Sequence, residues 1–149
     1  MKTFIVFLAL VLVFVSFLAF TSDMDRYVKL QDHLKILAED CACGSSLFSD
    51  EREFAAGRLV IDQSDAEGYV AFLIRKAQEC MPPLAEGRIS AKLTIYDDEK
   101  GYDGAAAYGF SPGRPGAVVT LTYTGPDMFR LPFFSVTKVT RTAVYRWEE

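Results

Sequence analysis

The stretch that decides the fold of this chain is residues 4–41, FIVFLALVLVFVSFLAFTSDMDRYVKLQDHLKILAEDC. Residues 4–20 are apolar except for Ser16, and they contain no Pro, Gly or charged residue. At a rise of about 1.5 Å per residue they form a helix of about 26 Å, close to the ~30 Å hydrocarbon thickness of a bilayer. No turn signal separates this run from the amphipathic pattern that follows. The sequence therefore predicts a membrane anchor over residues 1–22 that continues into a helix outside the bilayer.

A cleaved signal peptide is the alternative interpretation of the apolar run. Signal peptides have a shorter apolar region, roughly 7–15 residues, and a cleavage site of small residues. The best match to such a site is Ala19-Phe20-Thr21, where Thr is a weak final residue. Lys2 is the only basic residue before the run, and positive charge marks the cytoplasmic side. We therefore expect an uncleaved single-pass anchor in the cell membrane, with a cytoplasmic N-terminus and an extracytoplasmic domain over 23–149.

The part of the chain that follows the anchor is acidic and has the size of one domain. The whole chain carries a net charge of −4, and removing Lys2 with the anchor leaves −5. An excess of negative charge argues against binding to nucleic acid or to an anionic lipid surface. The composition therefore predicts a membrane-bound protein with no nucleic-acid partner.

Five residues recur at helical spacing after the anchor, and we call them the helix seam. They are Tyr27, Leu30, Leu34, Leu37 and Cys41. Spacings of 3, 4, 3 and 4 form one face of a helix and resemble a heptad pattern. Gly44 is predicted to end this helix as a left-handed cap. Two alternatives follow, because the seam can pack on its own domain or pair with a helix of another chain.

A second helix is predicted in the middle of the chain. Arg58–Asp62 has the pattern of a short strand, and Ser64 and Glu67 form a capping box that starts a helix near residue 65. Met81-Pro82-Pro83 ends this helix near residue 80. The residues predicted to form its apolar face are Tyr69, Phe72, Leu73, Ala77 and Cys80.

The C-terminal half has the pattern of antiparallel strands. Apolar and polar residues alternate over 89–96 and 117–124, and 135–147 is rich in Val and Thr. The segment 98–116 contains five Gly and two Pro, which predicts a long loop. Helices first and strands afterwards indicate an α+β fold, with an antiparallel sheet covered on one face by the continued anchor helix and the second helix.

The residue types that carry chemistry do not form a convincing active site. His33 is the only histidine and lies off the helix seam. Residues 109–113, Gly-Phe-Ser-Pro-Gly, match the letters of a nucleophile elbow, but Pro112 lacks the N–H that the oxyanion hole requires. Residues 97–104 have the acidic spacing of a calcium loop without its closing Glu. We therefore predict no enzyme and no catalytic, cofactor-binding or metal site.

The three cysteines leave several alternatives open. Asp40-Cys41-Ala42-Cys43 resembles half of a zinc site, but only Cys80 and His33 remain as further ligands besides carboxylates. An extracytoplasmic compartment permits a disulfide between Cys41 and Cys80. Free buried cysteines are the other interpretation.

The beginning of the chain resembles a known family. The apolar anchor, the acidic Asp23, the Arg26-Tyr27 turn, the Leu30-Gln31 helix and the Ala38–Ala42 segment resemble the TadE/TadG-like minor pilins and pseudopilins of tight-adherence (Flp-type) pili. The Thr/Val-rich C-terminal strand, which closes with residues 142–148, is also similar. The resemblance covers roughly the first 45 and the last 30 residues, and its motifs are compositional.

The resemblance implies a pilin-like accessory subunit of a surface pilus or secretion assembly. Its partners would be the membrane and other pilin-like or assembly-platform proteins, and it would need no cofactor. Processed members carry a small residue and then a Glu at the start of the apolar run, and residues 1–6 here contain neither. The chain therefore resembles an unprocessed accessory member rather than a filament subunit. The alternative function is an anchored extracytoplasmic binding or sensor module, with its ligand near the Tyr/Gly loop of 101–116.

Overall fold

One unbroken helix, α1, runs from Lys2 to Ser45 and forms the spine of the protein. The computed structural model describes residues 2–111, 114–130 and 134–147. The elements that follow are α2 (Glu51–Ala55), α3 (Gln63–Cys80), α4 (Pro82–Ala85), β1 (Arg88–Tyr96), a 3-10 helix (Ala105–Tyr108), β2 (Gly116–Thr124) and β3 (Lys138–Arg146). The α+β arrangement, with a long apolar N-terminal helix and an antiparallel sheet, is as the sequence predicts.

The three strands form an antiparallel sheet in the order β1-β2-β3. Arg88 lies opposite Thr124 and Gly116 lies opposite Arg146, so both hairpins pair over nine residues. The strands predicted over 89–96 and 117–124 are confirmed to within one residue. β3 is shorter than predicted, because the N–H of Val136 donates to Asp127 and not to a neighbouring strand.

The sheet has an apolar inner face and an outer face that is polar around two Thr pairs but covered at Val118 by Phe110 and Ala105. Val119, Leu121 and Tyr123 point inward from β2 and are buried, as two-residue periodicity requires. On the outer face, the hydroxyls of Thr120 and Thr142 lie 3.0 Å apart, and a second Thr pair lies beside them. The inner face therefore supplies the surface on which the helices pack.

The helix seam lies in the core of its own domain. Leu30, Leu34, Leu37 and Cys41 are buried together with the inner face of β2, and Tyr27 is partly buried at the edge of the same cluster. The helix runs in the same direction as β3, since Gln31 contacts Arg141 and the Trp147 indole N–H donates to Ser46 O at 3.0 Å. The seam is thus occupied within the chain and is not free to pair with another helix.

The interpretation of Gly44 as a left-handed cap was wrong. Gly44 lies inside α1 and is not among the glycines with positive φ. A Cβ at this position would lie 2.1 Å from Cε1 of Tyr69 on α3. The glycine is therefore required by the close approach of the Tyr69 ring to α1, and a helix end is not its role.

The start of α3 also differs from the prediction. Asp62 is the N-cap, and its carboxylate accepts the Asp65 N–H at 3.1 Å, so Ser64 lies within the first turn. The predicted strand over 58–62 is not formed, and Ile61 makes only one bridge, to Ser49. The reason is that the N–H groups of this segment donate to the side chains of Asp97 and Asp98 at the end of β1.

The apolar face of α3 is rotated from its predicted position. Ala66, Val70 and Ala77 are its buried residues, so Ala77 is buried as predicted, and Leu73 packs partly buried against the core. Phe72 is 44% exposed and Cys80 is exposed, although the sequence placed both on the buried face. Val70 and Ala77 pack in the core with α1, whereas Ala66 packs with Ile61 and Ile95, so the buried face of α3 is set by these two separate contacts.

Candidate functional site: the junction of anchor and domain

The side chains in the first half of α1 are exposed in the structure. Every described side chain from Lys2 to Leu18 is exposed, and none of the most apolar 18-residue window is buried. By length and composition this helix can cross a bilayer, and an N-terminal signal sequence has the same features. The change from exposure to burial falls between Ala19 and Asp23, where the helix reaches the domain.

Four aromatic rings lie near residues 19–23, where α1 passes from exposed to buried, and we call these rings the junction cluster. Phe20 and Tyr27 come from α1, and Phe129 and Phe134 come from the connection between β2 and β3; we use the name β2–β3 loop for its described residues, 125–130 and 134–137. The ring centroid of Phe20 lies 6.1 Å from that of Phe129 and 5.8 Å from that of Phe134. These are distances at which aromatic rings attract each other. The β2–β3 loop is therefore held beside the last residue of the apolar run.

Asp23 fixes the same loop through a hydrogen bond. Its side chain is 1% exposed, and its Oδ2 accepts the Arg130 N–H at 2.9 Å. Arg130 Nε lies 3.6 Å from Oδ1, which supplies a positive charge next to the buried carboxylate. A buried carboxylate requires partners of this kind. Asp23, which the sequence marked only as an acidic residue after the apolar run, therefore links α1 to the β2–β3 loop.

A second carboxylate, that of Asp127, holds the β2–β3 loop through hydrogen bonds to the loop backbone. Asp127 accepts the N–H groups of Phe129 at 3.1 Å and Val136 at 3.0 Å, and these bonds lower the pKa of its carboxyl. The folded state favours the charged form of Asp127. The carboxylate therefore stabilises the fold at a pH above the ordinary pKa of Asp, and this stabilisation is lost as the pH falls through the lowered pKa. The loop is therefore expected to loosen only in strong acid.

Replacing Asp23 by Ala is expected to release the β2–β3 loop from α1. The Arg130 N–H would lose its acceptor in a partly buried place, which costs about 1–3 kcal/mol. Amide hydrogen exchange over residues 127–130 measures the loosening. The matched control is Asp25→Ala, which removes an exposed carboxylate that pairs only with Lys29 at 2.7 Å on the same helix. Equal exchange in both variants would contradict the assigned role of Asp23.

The outer side of α1 carries scattered apolar side chains among charges. Met24, Val28 and Ile36 are 38%, 46% and 48% exposed. Ion pairs between residues four apart, such as Lys35–Glu39 at 3.8 Å, lie between them. Single exposed apolar residues are ordinary on protein surfaces. Their position matters, because this side of the helix continues directly from the exposed anchor.

An open groove of about 600 Å³ lies between α3 and β1. Its apolar lining includes Val70, Ile74, Ile89 and Leu93, and Glu67, Arg75 and Gln78 supply polar groups. In the Tyr/Gly loop of 101–116, Tyr108 and Phe110 pack against a ring of β1. Tyr96 lies 5.1 Å from Phe110 and 6.3 Å from Tyr108 between ring centroids.

The residue types considered for catalysis or metal binding are not brought together. His33 is partly buried, and its Nδ1 has no hydrogen-bond partner in the described part of the chain. Asp97 is fully buried and accepts the N–H groups of Ile61, Glu99 and Lys100, so its oxygens hold backbone in place. Across residues 2–111, 114–130 and 134–147, no three His, Cys, Asp or Glu side chains are grouped to hold a metal ion. The last two positions of the elbow-like segment, 112 and 113, lie outside the described residues.

All three cysteines are free thiols in the structure, and the disulfide between Cys41 and Cys80 is not formed. Cys41 is buried on the helix seam, whereas Cys80 is exposed at the end of α3. Burial, and then the charge of Asp40, raise the pKa of the Cys41 thiol to about 12. Cys41 therefore behaves as a small apolar core residue, and Cys80 as an accessible thiol.

We expect selective alkylation of these thiols. In the native protein at pH 8, Cys80 should react with iodoacetamide, while Cys41 stays unmodified because it is buried and protonated. Peptide mass mapping measures this, and labelling in denaturant without reductant should then find three thiols. A total of one thiol in denaturant would show that a disulfide forms in the natural compartment.

No family model, no curated protein and no solved structure matches the chain.

Proposed function

We propose that this protein is a non-enzymatic, membrane-anchored, pilin-like accessory subunit of a surface pilus or secretion assembly. The observation that supports the proposal is the division of α1. Its first half is apolar and exposed, and one face of its second half is buried in the domain core, without a break in the helix. A continuous helix of this kind is rigid, so it would hold the domain at a fixed distance from the bilayer. The proposal includes the resemblance to TadE/TadG-like proteins.

The same architecture supports single-pass insertion with the domain outside the cytoplasm. Exposed apolar side chains over residues 4–20 need a cover, and lipid or neighbouring transmembrane helices provide one. Cleavage near Thr21 would remove Phe20 from the junction cluster and leave Phe134 without one of its ring contacts. Retention of the anchor therefore agrees with the way in which the domain is built onto the helix.

We expect the mature protein to retain residues 4–20. Intact-mass analysis of protein extracted from membranes measures this. The physical reason is that Phe20, at the end of the run, is part of the folded domain. A mature N-terminus at Ser22 or beyond would leave a secreted domain without an anchor and would contradict the proposal.

Site-directed photo-crosslinking in intact membranes tests the assembly role. A photoreactive residue at Val28 or Ile36 reports on neighbours of the outer side of α1, and both positions are exposed. Thr140, exposed on the outer face of β3, is the matched control on a different surface. The proposal expects protein adducts from the α1 positions, identified by mass spectrometry as pilin-like chains, assembly-platform proteins or a second copy of this chain. Adducts to lipid alone at all three positions would contradict it.

A binding or sensor module is the second candidate function, and the groove between α3 and β1 is the observation that favours it. The groove offers an apolar floor with Glu67 and Arg75 at its edge, which suits a small amphiphilic ligand. For this candidate we propose the groove as the ligand site in preference to the Tyr/Gly loop of 101–116. A photoreactive residue at Ala91, which lines the groove, would capture such a ligand. Adducts there, with none on α1, would favour this candidate over the assembly role.

A further inference from the structure

The β2–β3 loop lies at the end of the domain from which the anchor leaves. Phe20 is the last residue of the apolar run and contacts both Phe129 and Phe134. Phe129 is buried, whereas Phe134 remains 54% exposed. The hydrogen bond between Arg130 and Asp23 holds the loop at this level of the helix. If residues 4–20 fill the hydrocarbon layer, Phe134 lies where that layer ends.

We propose that the β2–β3 loop is a second membrane contact, in which Phe134 enters the interfacial layer beside α1 and the Arg130 guanidinium lies at the lipid phosphates. The inference rests on the membrane-spanning anchor of the proposed function. Aromatic rings favour the interface because they combine an apolar body with tolerance of water, and Arg side chains extend to the headgroups. The Arg130 side chain is 73% exposed, so most of its guanidinium is available to lipid.

A lipid surface explains the exposure of Phe134 better than a protein partner does. The ring is continuous with the apolar surface of the anchor through Phe20, so one bilayer covers both without a further binding site. The net negative charge of the chain disfavours a strongly anionic membrane. The contact therefore depends on insertion of the Phe134 ring and on the binding of single lipid phosphates by Arg130. It should form on zwitterionic phosphatidylcholine.

Two attachments fix the orientation of the domain. A single helix can rotate about its axis and change its tilt, and packing and interfacial anchors set these angles. With the loop in the interface on one side of α1, the exposed side chains of Val28 and Ile36 would keep a fixed direction relative to the membrane plane. The loop would thus present the proposed assembly surface in a defined direction.

Tryptophan fluorescence in phosphatidylcholine vesicles with brominated acyl chains tests the contact. The full-length protein is used in a Trp147→Phe background, because Trp147 is the only native tryptophan. Phe134→Trp is the test variant, and Leu12→Trp, in the middle of the anchor, is the positive control. Tyr108→Trp is the matched negative control, because Tyr108 is a comparably exposed ring, at 41%, at the far end of the domain. Bromine near the headgroup end of the lipid acyl chain reports on the membrane interface, and bromine near the middle of the acyl chain reports on the hydrocarbon layer.

The expected result is about a twofold loss of emission from the Phe134→Trp variant with shallow bromine, given interfacial burial of roughly 5–10 Å. Leu12→Trp should be quenched most by deep bromine, and Tyr108→Trp should not be quenched. Quenching of Leu12→Trp without quenching of Phe134→Trp would overturn the loop contact and leave the anchor in place. No quenching of either would overturn the anchor and the loop contact together. If Trp147→Phe impairs folding, the same comparison is made as a difference from the wild-type emission.

Discussion

Replacing Leu34 by Asp is expected to lower the free energy of unfolding by about 3 kcal/mol or more, enough to unfold a domain of ordinary stability. Leu34 has no exposed surface and lies in the middle of the helix seam, against the inner face of the sheet. The substitution removes a buried apolar side chain and places an unpaired carboxylate in the core. Denaturant unfolding of the full-length protein in detergent, followed by circular dichroism, measures the change.

Ile36→Asp is the matched control for this variant. Ile36 lies two residues further along α1, carries a side chain of the same size and is 48% exposed. Its replacement should change stability by no more than about 0.5–1 kcal/mol, as is usual for surface positions. Similar stability of Leu34→Asp and Ile36→Asp would mean that the seam does not form the core of the folded protein.

Replacing Gly116 by Ala is expected to destabilise the protein by roughly 2–3 kcal/mol through overpacking. Gly116 begins β2, and a Cβ there would lie 2.1 Å from the backbone oxygen of Tyr145 on β3 and 2.4 Å from the Phe110 ring. A backbone oxygen in a paired strand cannot move aside without breaking the hairpin register. Thermal unfolding and hydrogen exchange over β3 measure the loss.

Gly68→Ala provides the opposite expectation. Gly68 lies in α3, and a Cβ there would meet nothing within 4 Å. Because Ala has a higher helix propensity, this variant should be more stable by up to about 1 kcal/mol. If Gly116→Ala were as stable as Gly68→Ala, the close approach of β2 to β3 at Gly116 would not exist in solution.

The elements that could be predicted from the sequence are those with a strong periodic pattern. The strand over 89–96 alternates between apolar and polar residues, and 117–124 does so except at Val118; alternation is a direct consequence of the two-residue repeat of a strand. The long helix follows from an apolar run that passes into a regular seam without a breaker. In both cases many residues carry the same signal, so neighbouring positions support one another.

The errors fall where a single contact from elsewhere in the chain decides the outcome. Ser64 has the letters of a capping box, but Asp62 stands closer to the end of the preceding segment and takes the N-cap position. The segment 58–62 has strand-like residues, yet the carboxylates of Asp97 and Asp98 accept its N–H groups. A short local pattern cannot show that such distant acceptors exist.

The face of α3 shows the same limit in packing. Phe72 is more apolar than Ala66, so periodicity alone favours a face that contains the Phe. The structure buries Ala66 against Ile61 and Ile95, and it buries Val70 in the core with the helix seam, whereas Phe72 stays exposed. Which face is buried depends on these neighbouring elements, and their positions are not encoded in the helix itself.

The apolar N-terminal run, the helix seam and the strands could be recognised in the sequence, because hydrophobic periodicity acts within each segment. The contacts between α1 and the β2–β3 loop could be found only in the tertiary structure. Asp23 and Arg130 are separated by 107 positions in the chain, and neither has a neighbour in sequence that predicts their hydrogen bond. Phe20 and Phe134 likewise meet only when β3 runs alongside α1. The physical reason is that a buried polar link and a cluster of rings depend on which surfaces the folded chain brings together.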